Sequence, residues 1–387
     1  MKLQERKKDL IFENNNMEHL YTFKNFPVFM GCVSSERDQD LKSDMRWEIS
    51  KKSGMIQLAS LLPMDVVYAQ AHGSGLVGSV WMCHHSEFAK FIIENLPEKA
   101  SILEIGAQHG ILADMLLSQY KGIEHWTIVE PNPNMIDRID LHKNLSVKKG
   151  WFDENYTQNQ PFDVIVHSHV FEHVLDPHSF VKSISDKLEK DQKCIFSIPN
   201  MKVMLEEGYT NCLNFEHTYY LSEGYVDYFA NVYDLIITDK QYFKKDHSIF
   251  YSVKKTNVNP FKNHSLLKNA YEENKNLFCN YVTNLVNQVE KLNEKIAYEK
   301  QIYLFGAHVF SQYLINLGLN TKNVLGVLDN DPNKHHKRLY GTSLKVMSPE
   351  ILKNKKDAIV ILKAGVYTEE IRKQIIEQIN SNVRFIL

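Results

Sequence analysis

Ser101-Ile-Leu-Glu-Ile-Gly-Ala-Gln-His-Gly110 is a short apolar run that ends in two spaced glycines. The apolar part predicts a strand and the glycines a tight turn. The amphipathic Ile111-Leu-Ala-Asp-Met-Leu-Leu-Ser-Gln-Tyr120 predicts a helix leaving that turn. A second apolar run, Trp126-Thr-Ile-Val-Glu130, ends in a carboxylate. Strand, glycine turn, helix, strand and acidic tip form the first half of a doubly wound nucleotide site. Gly106 and Gly110 let backbone approach a ligand where a Cβ would collide. Glu104 stands just ahead of the turn, and Glu130 is placed to accept from both hydroxyls of a ribose. A dinucleotide fingerprint needs G-x-G-x-x-G, whose second glycine makes room for a pyrophosphate. Gln108 occupies that place. A nucleoside ligand without pyrophosphate is therefore favoured. S-adenosylmethionine, with adenine, ribose and an amino-acid tail, meets that description.

Working outward, strands and helices alternate from Ser101 to about Val253, which implies a parallel sheet covered on both faces. Strands are expected at Ser101–Ile105, Trp126–Glu130, Ser146–Lys149, Phe162–His167, Lys193–Ser197, Tyr233–Tyr242 and Ser248–Val253, the last two as a hairpin. Upstream, short apolar runs between Phe26 and Leu62 read as a small β-rich lobe. Tyr68 to Ser79 reads as a glycine-rich loop. Downstream, Leu266, Tyr271, Leu277, Tyr281, Leu285, Val289 and Leu292 fall near a 3.5-residue period, read as one long linker helix packed on its neighbours. From Gln301 the grammar repeats. Ile302-Tyr-Leu-Phe-Gly306 leads into a helix, and Val324-Leu-Gly-Val-Leu-Asp329 ends in an acid. One glycine in that turn fits a structural Rossmann-like domain and a nucleotide pocket equally well.

The chain has 47 acidic and 45 basic residues, for a formal net charge of −2, so it presents no basic field for nucleic acid or an anionic membrane. No apolar run approaches the ~20 residues of a bilayer span, and the N-terminus lacks the apolar core of a signal peptide. The five cysteines contain no C-x-x-C pair, which argues against a disulfide framework and a zinc ribbon. A cytoplasmic protein, monomer or homodimer, with no metal is expected.

Two clusters carry chemistry. Phe162-Asp-Val-Ile-Val-His-Ser-His-Val-Phe-Glu-His-Val-Leu-Asp-Pro177 runs from a buried strand into a loop at the carboxyl edge of the sheet. His167 and His169 would share a strand face with His173 close behind. A metal there is set aside, because no established zinc spacing is present and the strand bearing His167 should be buried. His173 remains an active-site candidate. The second cluster is Asn211-Cys-Leu-Asn-Phe-Glu216-His217-Thr-Tyr-Tyr220. A carboxylate beside an imidazole suits proton abstraction, since histidine titrates near neutrality.

With these residues in view, the chain resembles the sugar-methyltransferase family that methylates ketosugars attached to a nucleoside diphosphate. The matching segments are Gly54-Met-Ile-Gln-Leu58, Leu103-Glu-Ile-Gly106-Ala-Gln-His-Gly110, Val170-Phe-Glu-His173, Phe215-Glu-His-Thr-Tyr219, Phe305-Gly-Ala307 and Asp329-Asn-Asp-Pro332. The resemblance implies an α/β protein with a class I methyltransferase (Rossmann-like) central domain. It also implies a small zinc-domain-like N-terminal lobe and a second Rossmann-like domain at the C-terminus. The expected boundaries are 1–80, 81–255, 256–300 for the helical linker and 301–387. Met45 to Gly54 looks like a zinc knuckle whose cysteines have been replaced, so the lobe should be held by packing alone. The family carries a tyrosine two positions before its Glu-His pair, and here Asn214 stands in that place.

The implied activity is methyl transfer from S-adenosylmethionine to a small polar acceptor, a nucleotide sugar or a related substrate. Gly106, Gly110 and backbone around Gln108 would hold the methionine tail, Glu130 the ribose, and Phe152 with Asp153 the adenine. Glu104 and His169 complete the cofactor set. His217 is the expected base, oriented by Glu216, with His173 and Tyr68 candidates for polarising the acceptor oxygen. The alternatives are an NAD(P)-dependent oxidoreductase built on the C-terminal unit and a non-catalytic sugar-binding protein on the same fold.

Overall fold

In the computed structural model, which describes residues 3–67, 78–133, 136, 142–157, 160–256 and 267–386, the Ser101 run is an interior strand of a seven-stranded sheet. The strands are β1 (Ala100–Ile105), β2 (Ile123–Glu130), β3 (Leu145–Lys149), β4 (Val164–Ser168), β5 (Lys193–Pro199), β6 (Leu235–Phe243) and β7 (Ser248–Lys255). Their spatial order is β6-β7-β5-β4-β1-β2-β3. The first five are parallel, and β7 pairs antiparallel with both β5 and β6. The order reverses between β1 and β4, which makes the carboxyl ends of those two strands the place where such sheets take ligands. β4 starts at Val164 rather than at the expected Phe162. The Asp163 carboxylate accepts the Ser101 N–H at 2.7 Å and turns the chain into the strand.

Both faces of this sheet are covered, so its central strands are buried along nearly their whole length rather than on alternate residues. Helix α1 (Ser79–Asn95) turns Val80, His84, Phe88, Phe91 and Ile92 inward, a helical spacing with one polar member. Helix α2 (Ile111–Gln119) leaves the glycine turn. Helix α3 (Pro177–Lys187) starts as its sequence demands, with Pro177 in the first turn and Asp176 accepting the Ser179 N–H. Helix α4 (Glu223–Val232) precedes the closing hairpin. These elements form one unit, Ser79–Met201 with Tyr220–Lys268.

The other unit comprises Met1–Gly78, Lys202–Tyr219 and Asn269–Leu387. Its N-terminal part is an antiparallel sheet of Met17–Pro27, Lys42–Ser50 and Ile56–Leu58, with Phe23, Phe26, Met45 and Trp47 in its core. Packing does not hold this lobe alone, contrary to expectation. Buried Ser53 donates to Asp9 at 2.8 Å, and the Ser50 hydroxyl accepts the Ser53 N–H. Small polar side chains thus tie together the turn that resembles a zinc knuckle. Helix α5 (Ala270–Ile296) buries Phe278, Tyr281, Leu285, Val289, Leu292 and Ile296. Its last three apolar positions join the core of a parallel sheet of β8 (Ile302–Phe305), β9 (Val324–Leu328), β10 (Val346–Met347), β11 (Ile359–Leu362) and β12 (Arg384–Ile386). That sheet runs β10-β9-β8-β11-β12. N-terminal and C-terminal segments meet within this unit. Arg338 pairs with Val33 through the backbone and holds the Asp40 carboxylate with both terminal guanidinium nitrogens, at 2.6 and 2.7 Å.

Candidate active site

The turn after β1 is built from left-handed residues. Gly106, Gln108 and Gly110 have φ of +70°, +50° and +70°. A Cβ on Gly106 would stand 2.8 Å from a Val170 methyl, and one on Gly110 would stand 2.9 Å from an Ile136 methyl. The glycines are therefore required first by the turn and its neighbours, before any ligand arrives. Glu130, at the tip of β2, accepts the Gln108 N–H at 3.1 Å on one oxygen and the Asn132 N–H at 2.9 Å on the other. The carboxylate shapes the loop that follows β1, and two of its roughly four acceptor sites are used this way. Glu104 is buried at 2% exposure and accepts the Trp126 indole N–H at 2.8 Å. Burial pushes its pKa up to about 8, against the pull of the indole, and the nearby Glu130 charge adds to the rise.

Beyond β4 the two histidines part. His167 is buried, stacked on Phe196 with ring centroids 4.9 Å apart, and burial takes its pKa down to about 3. His169 does not share its face. A left-handed backbone (φ +53°) ends the strand there, and the ring meets Glu172 through Nδ1 at 3.0 Å and Ser248 through Nε2 at 2.9 Å. His173 closes a short 3-10 turn, half-buried, with its N–H on Val170 O. After β3, half-buried Phe152 packs on Tyr156, while exposed Asp153 accepts the Asn155 N–H. Tyr68 lies outside the described residues.

The Glu-His loop belongs to the other unit and is held from several sides. Asn214 Oδ1 accepts the backbone N–H of Glu216 at 2.7 Å and of His217 at 3.0 Å, a short polar turn that aims both side chains. Phe215 is buried against Phe26, Tyr313 donates to Leu213 O at 2.5 Å, and Thr218 O receives the Leu58 N–H. His217 Nδ1 lies 2.8 Å from Cys212 O. A carbonyl only accepts, so Nδ1 carries the proton and Nε2 is the basic nitrogen. Sequence reasoning gave the orienting role to Glu216 and passed over the Cys212 carbonyl, because no side-chain pattern marks a backbone acceptor.

The acceptor capacity of Glu130 and the backbone amides of the turn fit S-adenosylmethionine, whose ribose and amino-acid tail require them. A family model described as a methyltransferase domain matches residues 84–295, more than half of the chain. A second, described as a C-methyltransferase C-terminal domain, matches residues 268–387. No curated protein matches the sequence. Among solved structures, the chain is similar to the N-methyltransferase NodS from Bradyrhizobium japonicum, in complex with S-adenosyl-L-homocysteine. The identity there is 12%, over 46% of this chain and 88% of that one, at a TM-score of 0.36. An S-adenosylmethionine-dependent methyltransferase from Mesorhizobium loti shares 11% identity over 46% and 99% of the two chains, with a TM-score of 0.37. One from Clostridium acetobutylicum shares 15% over 44% and 92%, with a TM-score of 0.36. The central sheet is that of a class I methyltransferase, and the chain belongs to the S-adenosylmethionine-dependent C-methyltransferase family.

Proposed function

We propose that the enzyme methylates carbon beside the carbonyl of a nucleotide-linked ketosugar, in the cytoplasmic stage of surface-glycan synthesis, with His217 as the base. The observation that carries this reading is the His217 tautomer: Nδ1–H on Cys212 O leaves Nε2 as the proton acceptor. The C-methyltransferase description of residues 268–387 favours carbon over oxygen as the methylated atom. When bound, S-adenosylmethionine supplies an electrophilic methyl group on its sulfonium.

Gly106, Gly110 and the Gln108 backbone hold its amino-acid tail, with Glu104 beneath them and His169 beside them. Glu130 takes the ribose, and Phe152 and Asp153 flank the adenine. His217 removes the proton next to the acceptor carbonyl, and the electron pair left on carbon makes it the nucleophile. Glu216 stabilises the imidazolium, while His173 and Tyr68 polarise the carbonyl oxygen. Alignment and deprotonation are the protein's contributions. The working division is a lobe at 1–80, the cofactor domain at 81–255, a linker region at 256–300 that includes α5, and a Rossmann-like domain at 301–387.

The test is incubation with methyl-labelled S-adenosylmethionine and a panel of nucleoside-diphosphate sugars, some bearing a ketone and some only hydroxyls. Label should enter a ketosugar as a C–CH₃ group by NMR. Transfer to hydroxyl oxygen, or to no nucleotide sugar while another acceptor class is labelled, would overturn the reading.

A further inference from the structure

Within the unit that carries the seven-stranded sheet, three histidines from distant parts of the sequence converge. His84 comes from α1, His169 from the loop after β4, and His247 from the turn before β7. One ring nitrogen of each lies within 4.8 Å of one nitrogen of the other two. His84 is 0% exposed and His247 6%. Trp81 closes the cluster edge-on, its ring centroid 5.1 Å from His84, 5.1 Å from His169 and 5.0 Å from His247.

Hydrogen bonding inside the protein does not use up these rings. His84 Nε2 meets Ser197 Oγ at 3.0 Å, and one hydroxyl, Ser248 Oγ, serves both His169 Nε2 and His247 Nδ1, at 2.9 and 2.6 Å. That hydroxyl has a single proton to give. His84 Nδ1 and His247 Nε2 are buried with no hydrogen-bond partner among the described residues. Folded proteins rarely leave buried nitrogens of this kind without a partner unless something else occupies them. Glu172 Oε1 accepts His169 Nδ1–H at 3.0 Å, which makes Nε2 the lone-pair nitrogen. A carboxylate behind a histidine is the arrangement that orients and strengthens a metal-binding imidazole.

We propose that His84, His169 and His247 form a three-histidine site for a borderline divalent cation, Zn²⁺ being the reference ion, with Glu172 as the positioning residue for His169. The ligand set is all nitrogen, which suits zinc and its neighbours and not calcium or magnesium. Zn–N bonds of about 2.0–2.1 Å put ligand nitrogens roughly 3.3 Å apart in a tetrahedral site. The observed spacing, within 4.8 Å, leaves at most about 1.5 Å to close on binding. Three protein ligands leave a fourth position open to water or another oxygen. The proposal departs from the expectation of a metal-free protein and does not depend on the identity of the methyl acceptor.

The experiment uses the full chain stripped with a chelator and titrated with Co²⁺, then with Zn²⁺ in competition. Saturable binding of one Co²⁺ per chain, with the intense visible bands of a four- or five-coordinate nitrogen site, is expected. His84→Gln and His247→Gln should each weaken Zn²⁺ binding more than 100-fold. Glu172→Gln should weaken it 10–100-fold with the cobalt spectrum kept, as loss of an outer carboxylate does. His178→Gln, outside the cluster, should bind as wild type. Weak octahedral cobalt bands in the wild-type protein, or wild-type affinity in His84→Gln and His247→Gln proteins that melt normally, would overturn the site. Should those two variants fail to fold, the wild-type cobalt spectrum decides alone.

Discussion

Glu104→Gln should make the protein more stable, by an amount that grows with pH. Glu104 sits beneath the cofactor turn, buried, with Trp126 as its donor, and keeps its proton up to about pH 8. In the unfolded chain the same carboxyl ionises near pH 4.5. Its folded pKa is raised, so its stabilising share is complete below pH 4.5 and is lost as pH climbs through 8. At ~1.36 kcal/mol per pH unit, the wild-type protein gives up roughly 4–5 kcal/mol over that interval. Glutamine mimics the protonated acid and still offers the indole a carbonyl oxygen. The gap between variant and wild type should widen from about 1 kcal/mol at pH 5 to about 4 kcal/mol at pH 8 and then level off. A constant offset from imperfect packing of the amide leaves that slope untouched, and other titrating groups cancel between the two proteins. Urea unfolding followed by tryptophan fluorescence at pH 5, 6, 7 and 8 measures it. Parallel stability curves across this range would mean that Glu104 is already ionised in the folded protein, and the account of the buried acid would fail.

On the proposed role, Glu130→Ala would remove two charge-assisted contacts to the ribose, each worth ~1.5–3 kcal/mol, and should weaken S-adenosylhomocysteine at least tenfold by calorimetry. It also strands the Gln108 and Asn132 amides, so some loss of melting temperature is expected, and unchanged affinity in folded protein would refute the assignment. His217→Ala should leave S-adenosylhomocysteine binding intact while turnover falls ~10²–10⁴-fold, and Glu216→Gln should cost less. Deuterium exchange at the acceptor carbon should vanish with His217→Ala, and exchange at the wild-type rate would move the base elsewhere. Asn214→Ala frees the two amides that hold the Glu-His pair, so kcat should drop with little change in cofactor affinity; equal kcat would deny the turn its role.

The nucleotide half-site was legible because its signals are local. Apolar runs of strand length, two glycines and a terminal acid lie within thirty residues, and β1, α2 and β2 form where they predict. The reason for the glycines was not legible. Val170 and Ile136, which a Cβ at Gly106 or Gly110 would strike, are remote from the turn in sequence. The same holds for the Glu-His loop. Its residue types announced proton transfer, yet its orientation rests on the Cys212 carbonyl and on Asn214, which read as a mere departure from a family pattern. The pairing of Arg338 with Asp40 joins the two ends of the chain, and no periodicity within either end reports it. Within α1, His84 is a polar position on a largely apolar buried face. Only the sheet brings it to His169 and His247.

The chain writes the same grammar twice, and the two acidic tips have different work. Glu130 accepts one backbone N–H on each oxygen, leaving about two acceptor sites, the number a ribose diol needs. Asp329 accepts the Ala307 N–H at 2.8 Å and Lys334 Nζ at 3.1 Å on one oxygen and the Asp331 N–H at 2.9 Å on the other. Three of about four sites are then taken, and the ammonium offsets the charge that would strengthen a bond to a hydroxyl. The sequence left structural and nucleotide-binding readings of this second tip equal. Its hydrogen bonds favour the structural one: Asp329 ties β9 to the turn after β8, as Glu130 ties β2 to the turn after β1, but with little left over for a diol. Any nucleotide moiety that the C-terminal sheet receives must therefore be recognised through other groups than the acid that marks the motif.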